Sequence, residues 1–179
     1  MKYYIVALFN EKSYETIFPI QKSISKKFKG YRNSPIPHIT LSILENPNIE
    51  KLTPIIEKII KPYKKFKIEL DSTVSISEQL HSLNLHMQYK GYIKKIKTSL
   101  SDFLELNGFN DLIPSDSELS ISVANVNFSN KDNKRTDMYC DLIKKNPNTI
   151  TLKIDRFEIW KFSNNRKETC IKSFHLKDF

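Results

Sequence analysis

The chain contains one pattern of elements twice, and both copies end on a strand with similar side chains. In the first copy, a Tyr-, Ile- and Val-rich strand over 2–9 leads through a helix to a strand over 38–44. In the second, a strand over 82–88 leads through a helix over 90–106 to a strand over 118–126. Two copies of one plan predict two similar lobes, related by a pseudo-two-fold axis, with a cleft between them.

The segments between and after the two copies are also expected to be ordered. Ile17, Ile20, Ile24 and Phe28 recur at helical spacing before Gly30. The further expected elements are a helix that starts after Asn48 and ends at Pro62, a strand over 66–73, a helix around 131–145, and strands over about 149–161 and 169–177. Helices that alternate with strands favour a single α+β domain over 1–179 with a mixed sheet.

Charge and cysteine content narrow the possible partners without fixing one. The formal net charge of +9, from 29 Lys and Arg against 20 Asp and Glu, suits a polyanion such as nucleic acid. A lysine-rich solvated surface explains the same surplus. Cys140 and Cys170 give no disulfide framework and no metal-ligand spacing. No apolar run reaches the roughly 20 residues of a membrane span, so we expect a cytoplasmic protein. We also expect a monomer, with no metal and no cofactor.

The ends of the two copies carry the side chains most suited to chemistry. Residues i and i+2 of a strand share a face, so His38 projects with Thr40, and Ser120 projects with Ser122. If the two lobes are related by a two-fold axis, all four side chains meet in the cleft. Hydroxyls can hold the non-bridging oxygens of a phosphodiester while an imidazole transfers a proton. The sequence therefore predicts a phosphodiester site.

This arrangement resembles the 2H phosphoesterase superfamily, the LigT-like or 2′-5′ RNA ligase-like proteins. The resemblance covers the whole chain, from Tyr-Tyr-Ile-Val-Ala-Leu at residue 3, through Pro-His-Ile-Thr-Leu at residue 37, to Phe-Glu-Ile-Trp at residue 157. It implies a two-lobed fold with a central cleft, metal-independent cleavage, and substrates such as 2′,3′-cyclic phosphates, 2′-5′ oligoadenylates or cyclic oligonucleotides. The expected partners are a nucleotide, a cyclic oligonucleotide or an RNA end.

Carried over by motif, the resemblance makes His38 the acid or base, and Thr40 and Ser122 the phosphate-binding hydroxyls. Ser120 stands where the family has its second histidine. A serine hydroxyl does not titrate like an imidazole, and loss of one acid–base partner typically costs about 10²–10⁴ in rate. The cleft would nevertheless keep the donors that bind a phosphodiester.

Three interpretations of Ser120 stay open. The protein is a natural binder without activity, another group supplies the missing proton transfer, or the sequence is a variant that traps its ligand. His81 and His86 lie near the strand that opens the second copy, so either is a possible substitute, although a structural role is the simpler one for both. Tyr4, His86 and Asn125 are the candidate substrate-binding residues, with Tyr4 placed to stack on a base.

Three functions compete on these grounds. The first is a metal-independent phosphodiesterase acting on a 2′-5′ or cyclic phosphodiester. The second is a catalytically impaired nucleotide- or RNA-binding protein, for example a sponge for a cyclic nucleotide signal. The third is a protein that handles RNA ends, whose lysine surface docks a longer RNA and whose binding weakens steeply as salt rises.

Overall fold

The structure is a computed structural model that describes residues 1–30, 34–77, 80–126, 140–146, 148–162 and 168–178. The strands are β1 (Lys2–Phe9), β2 (His38–Glu45), β3 (Phe66–Ser77), β4 (Ser82–Tyr89), β5 (Ile121–Asn125), β6 (Thr151–Phe162) and β7 (Glu168–His175). The helices are α1 (Glu11–Lys27), α2 (Ile49–Ile60), α3 (Ile93–Leu106) and α4 (Asp141–Lys144). This α+β content confirms the expected fold class.

Several element boundaries differ from the sequence-based expectation, and three of the differences are described here. The strand expected over 118–126 begins only at Ile121, so Ser120 lies just before it. The strand expected over 66–73 continues to Ser77. Most of the helix expected around 131–145 falls on 127–139, outside the described residues, and its described part is the short helix α4.

The strands form one sheet in the order β1-β2-β5-β4-β3-β6-β7, and β1 also pairs with β6. Six strands therefore close into a ring, and β7 lies outside it against β6. The expectation of a mixed sheet is wrong, because every pairing between the named strands is antiparallel. In each copy of the repeat, the strand after the helix starts beside the middle or the second half of the first strand, because Ile39 pairs with Ala7 and Ile121 pairs with Leu85.

The pseudo-two-fold axis of the sequence repeat lies at the centre of the sheet. The first copy contributes the neighbours β1 and β2, and the second contributes β4 and β5. Strands β2 and β5 pair directly, with Ile39 opposite Ile121 and His38 opposite Ser122. The axis therefore passes through the Ile39–Ile121 pair, which is fully buried.

The main core lies where the helices cover the sheet. Apolar side chains of α1, α2 and α3 pack with alternate residues of the strands; examples are Ile17, Ile24, Leu52, Ile56, Ile96 and Leu100. Each fully buried Leu or Ile contributes about 1.5–3 kcal/mol relative to an exposed one. A smaller cluster of Val6, Leu8 and Trp160 forms separately from this core. Among the described residues, no helix is long and apolar enough to cross a membrane.

A glycine fixes the turn between β4 and α3. Gly91 has a φ of 53°, and a Cβ there would stand 2.6 Å from the carbonyl oxygen of Lys67. Gly108 has a similarly positive φ of 74° but open space around it. An alanine at 108 would therefore introduce backbone strain alone, whereas an alanine at 91 would introduce both backbone strain and a steric clash.

We expect Gly108→Ala to lower the free energy of unfolding by about 1 kcal/mol, the cost of a left-handed backbone for a residue with a Cβ. Gly91→Ala should lower it by about 3 kcal/mol, because strain and overpacking combine. Urea titrations of the two variants measure the difference. Equal effects would show that the turn yields to the added methyl group.

Candidate active site

His38 opens β2 with its side chain almost entirely enclosed, at 6% exposed. Its Nδ1 lies 2.8 Å from the carbonyl oxygen of Ile36, and its ring packs on Trp160 with centroids 4.8 Å apart. A carbonyl only accepts hydrogen bonds, so Nδ1 carries the proton and Nε2 holds the lone pair of the neutral ring. The ring is therefore fixed in the tautomer whose Nε2 accepts a proton.

Burial gives that ring a low proton affinity. Removal from water lowers the pKa of His38 from 6.5 to about 4, although the hydrogen bond to Ile36 opposes the shift. His38 is therefore neutral at physiological pH, the form in which an imidazole acts as a general base.

A carboxylate holds the indole against which His38 packs. Trp160 Nε1 donates to Glu158 Oε2 at 2.6 Å, and Arg156 Nε donates to the other oxygen at 2.9 Å. Arg156 also donates to the carbonyl oxygen of Phe9 at 3.0 Å. This chain of hydrogen bonds fixes one wall beside the imidazole, and the sequence carries no pattern that indicates it.

Two hydroxyls flank the imidazole from the paired strands. Thr40 follows on β2 and Ser122 stands opposite His38 on β5; both are buried. Ser122 Oγ donates to Asn84 Oδ1 at 3.2 Å, and Ser82 Oγ donates to the same oxygen at 2.9 Å. Sequence reasoning missed Asn84, although its polar spacing with Ser82 and His86 along β4 was a usable signal.

The site opens into a cavity of about 260 Å³. Its lining joins polar groups to an aromatic end, namely Lys2, Tyr4, Pro35, His38, Thr40, Leu80, His81, Ser82, Ser122, Asn125 and Phe162. The Tyr4 and Phe162 rings lie 4.5 Å apart. Of the two tyrosines at the start of β1, Tyr4 is the one that faces this cavity, because Tyr3 packs against the main core.

A second cavity of about 230 Å³ adjoins the first. Thr40, Leu80 and Ser122 line both cavities. The second cavity also contains Ser120 and His86. The two hydroxyls therefore stand between two cavities, with His38 on one side and the predicted second-motif residue, Ser120, on the other.

His86 has partners at both ring nitrogens. Its Nε2 lies 2.8 Å from Ser75 Oγ, and its Nδ1 lies 3.6 Å from Glu118 Oε1. Lys90 Nζ lies 3.7 Å from the same carboxylate oxygen. His86 is thus a half-buried member of the second cavity.

Two other residues singled out in the sequence, His81 and Asn125, line the first cavity. His81 is exposed in the turn before β4 and lines the first cavity, with a positive φ of 49°. Asn125 also lines the first cavity, and its backbone N–H donates to Ser34 Oγ at 2.8 Å. In the described part of the chain, no group of three or more His, Cys, Asp or Glu side chains is placed to hold a metal ion.

A buried lysine positions the segment that leads to Ser120. Lys97 of α3 is 2% exposed, and its ammonium donates to the carbonyl oxygens of Pro114 and Ser117, each at 3.0 Å. It also donates to the Ser117 hydroxyl. Burial lowers the pKa of Lys97, while the nearby charges of Asp111 and Asp116 oppose the shift. Because these bonds hold 114–117 in a turn, the strand starts only at Ile121.

The closed antiparallel ring, with its two strand–helix–strand copies meeting at β2 and β5, is the LigT-like fold of the 2H phosphoesterases. A phosphoesterase crystal structure aligns with a TM-score of 0.64 at 14% identity, over 99% of both chains. LigT of E. coli, complexed with 3′-AMP, aligns with a TM-score of 0.61 at 14% identity, over 99% of this chain and 98% of its own.

The likeness extends to a eukaryotic protein. Usb1 of Kluyveromyces marxianus aligns with a TM-score of 0.53 at 10% identity, over 98% of this chain and 97% of its own. No protein-family model matches the chain, and no curated protein sequence matches it. The structural matches confirm the predicted fold across the whole chain; at such low identity they speak to fold alone.

The buried His38 predicts a specific acid sensitivity. The unfolded chain binds a proton at this ring below about pH 6.5, whereas the native ring binds one only below about pH 4. Native stability should therefore fall as pH drops through this window and level off below it, by about 3 kcal/mol in total. Urea unfolding of the native chain and His38→Gln at several pH values measures this, with His175→Gln as the control. Parallel curves for native chain and His38→Gln would contradict the low pKa.

Lys97→Met should remove the three hydrogen bonds from α3 to 114–117 and so release this turn from the helix. We expect a loss of about 2 kcal/mol in the free energy of unfolding and faster amide exchange over 112–120. Lys94→Met, on the exposed face of the same helix, should change stability by less than about 0.5 kcal/mol. Equal stability of the two variants would argue against the anchoring role of Lys97.

Proposed function

We propose that the protein is a metal-independent phosphodiesterase of the 2H type, acting on a 2′-5′ or cyclic phosphodiester of a nucleotide or oligonucleotide. The observation that carries the proposal is the pairing of His38 with Ser122 across β2 and β5, beside Thr40. A neutral imidazole beside two buried hydroxyls suits a phosphodiester: the hydroxyls can bind its two non-bridging oxygens, and the imidazole can transfer the proton for the cleavage of its P–O ester bond.

Each of the three groups has a role in that chemistry. The Oγ1–H of Thr40 donates to one non-bridging oxygen. The Oγ–H of Ser122, which donates to Asn84 Oδ1 in the free site, turns to the other non-bridging oxygen, so that the phosphorus is held between the cavities. The Nε2 of His38 takes the proton of the attacking water as the new P–O bond forms. Asn84 orients Ser122 through the hydrogen bond between their side chains.

The rest of the first cavity suits a nucleoside. Tyr4 and Phe162 offer aromatic surfaces on which a base can stack. Lys2 and the net charge of +9 favour an anionic ligand. Solved structures of LigT contain 3′-AMP, NADP+, ATP or phosphate. These complexes support a nucleotide as the ligand class for the same fold.

A second candidate function is binding without turnover, as in a sponge for a cyclic nucleotide signal. The observation that favours it is Ser120, which lines the second cavity next to Thr40 and Ser122 and offers a hydroxyl where a proton donor would help. Such a protein would take up its ligand stoichiometrically and release it unchanged.

The test is a cleavage assay in EDTA with 2′,3′-cyclic nucleotides, 2′-5′-linked dinucleotides and cyclic oligonucleotides, with products identified by mass spectrometry. We expect the native chain to cleave at least one compound, and His38→Ala to cleave it about 10²–10⁴ times more slowly. His175→Ala is the matched control, because His175 is exposed on β7 outside both cavities.

The outcomes divide the two functions. Tight binding with the ligand recovered intact would favour the sponge. Parallel reactions contain Mg²⁺ in place of EDTA. Cleavage that occurs only with Mg²⁺ and survives His38→Ala would overturn the proposal, because it would place the reaction on a metal elsewhere.

A further inference from the structure

We propose that His86 supplies the proton donor that Ser120 does not, so that the acid–base pair of this protein is His38 and His86. The inference rests on the proposed phosphodiesterase function and deepens it. It assigns a role to a side chain on β4, a strand that borders β5 on the side away from His38.

The strand registers place His86 beside Ser120, the position at which the family has its second histidine. Strands β2 and β5 pair His38 with Ser122 and Ile39 with Ile121, so continued register puts Ser120 opposite Thr40. Strands β4 and β5 pair Asn84 with Ser122 and Leu85 with Ile121. Continued register therefore puts His86 opposite Ser120. Directly opposed residues of neighbouring strands project to the same face.

The displacement of the imidazole is small. Neighbouring strands lie about 4.8 Å apart, so a ring on β4 starts one strand spacing further from His38 than a ring at position 120 would. A serine at 120 leaves that space open, and both residues line the same cavity. A histidine at 120 would fill the space between His86 and Thr40. The small residue at 120 is thus what gives His86 access to the phosphate.

The surroundings of His86 match a proton donor. Glu118, on the segment before β5, lies 3.6 Å from Nδ1 and is placed to pair with the ring when it is protonated. Lys90, at the end of β4, contacts the same carboxylate. Ser75 of β3 lies at Nε2 and lines the same cavity, so a ligand oxygen can take its place there.

With these roles, the protons gained and lost by the two histidines balance in each round of hydrolysis. Water attacks phosphorus and gives its proton to Nε2 of neutral His38. The P–O bond to the leaving oxygen breaks, and that oxygen takes a proton from Nε2 of protonated His86. His86 ends neutral with its Nδ1 proton facing Glu118. Exchange of one proton with solvent at each ring restores the starting state.

The same contacts allow a competing mechanism. The chain of Ser75, His86 and Glu118 has the order of a nucleophilic triad, in which Ser75 would attack phosphorus. That mechanism makes Ser75 indispensable. The proton-donor mechanism makes it dispensable, so Ser75→Ala separates the two.

The experiment measures kcat/KM against pH, in EDTA, on the compound that the native chain cleaves best. The variants are His86→Ala, His86→Asn, Ser120→Ala, Ser120→His, Ser75→Ala and the double variant His86→Ala/Ser120→His; thermal unfolding confirms that each is folded. We expect kcat/KM of both His86 variants to be about 10²–10⁴ times lower than that of the native chain. We also expect that their kcat/KM no longer falls on the alkaline side of the pH profile. Ser120→Ala and Ser75→Ala should each lose less than about tenfold, far less than His86→Ala, and the double variant should recover most of the activity together with its fall on the alkaline side.

Failure of this inference can be told apart from failure of the proposed function. A native chain that cleaves, with His86→Ala cleaving equally well, overturns the role of His86 and leaves the phosphodiesterase intact. Loss of activity in Ser75→Ala overturns it in favour of the serine nucleophile. A native chain that cleaves nothing, while Ser120→His alone cleaves, shows that His86 does not supply the proton. If neither cleaves any compound, both proposals fall.

Discussion

The pairing of β2 with β5 is the contact on which the site depends. It joins the two copies of the repeat and is short, with His38 opposite Ser122 and Ile39 opposite Ile121. The isoleucines are fully buried in the main core. Since alternate residues of a strand face opposite sides, that packing sets which side chains face the cavities. A slip of one residue in this register would turn the imidazole into the core and bring an isoleucine to the phosphate position.

The same enclosure that fixes His38 also determines its chemistry. Packing on Trp160 and the hydrogen bond to Ile36 hold the ring in one tautomer, while loss of water lowers its pKa to about 4. The ring is ready to accept a proton but poorly suited to begin the reaction protonated. A partner with different surroundings is needed for the opposite transfer. His86, which is half-buried and lies beside the Glu118 carboxylate, is the partner that we propose for this transfer.

Sequence reasoning predicted the fold because the repeat is visible in the residue patterns of the individual strands and helices. Periodicity identified the strands that contain His38 and Ser122, and the resemblance of their motifs implied a common cleft. Sequence reasoning could not predict that all strands pair antiparallel, because the direction of a strand is not encoded in the pattern of its own residues. The late start of β5 also depends on a distant residue, Lys97, whose hydrogen bonds reach 17 and 20 residues along the chain.

Asn84 and Trp160 were missed for a related reason: each acquires its role from a neighbouring strand rather than from its own segment. His86 was named from the sequence as a possible substitute for the second histidine, but nothing in its own strand distinguished it from the other polar residues there. The register of β4 on β5, continued by one residue, puts His86 opposite Ser120, and both residues line the second cavity. In a sheet, a side chain on the neighbouring strand can take over a role in a site, provided that the residue at the original position is small enough to leave it access.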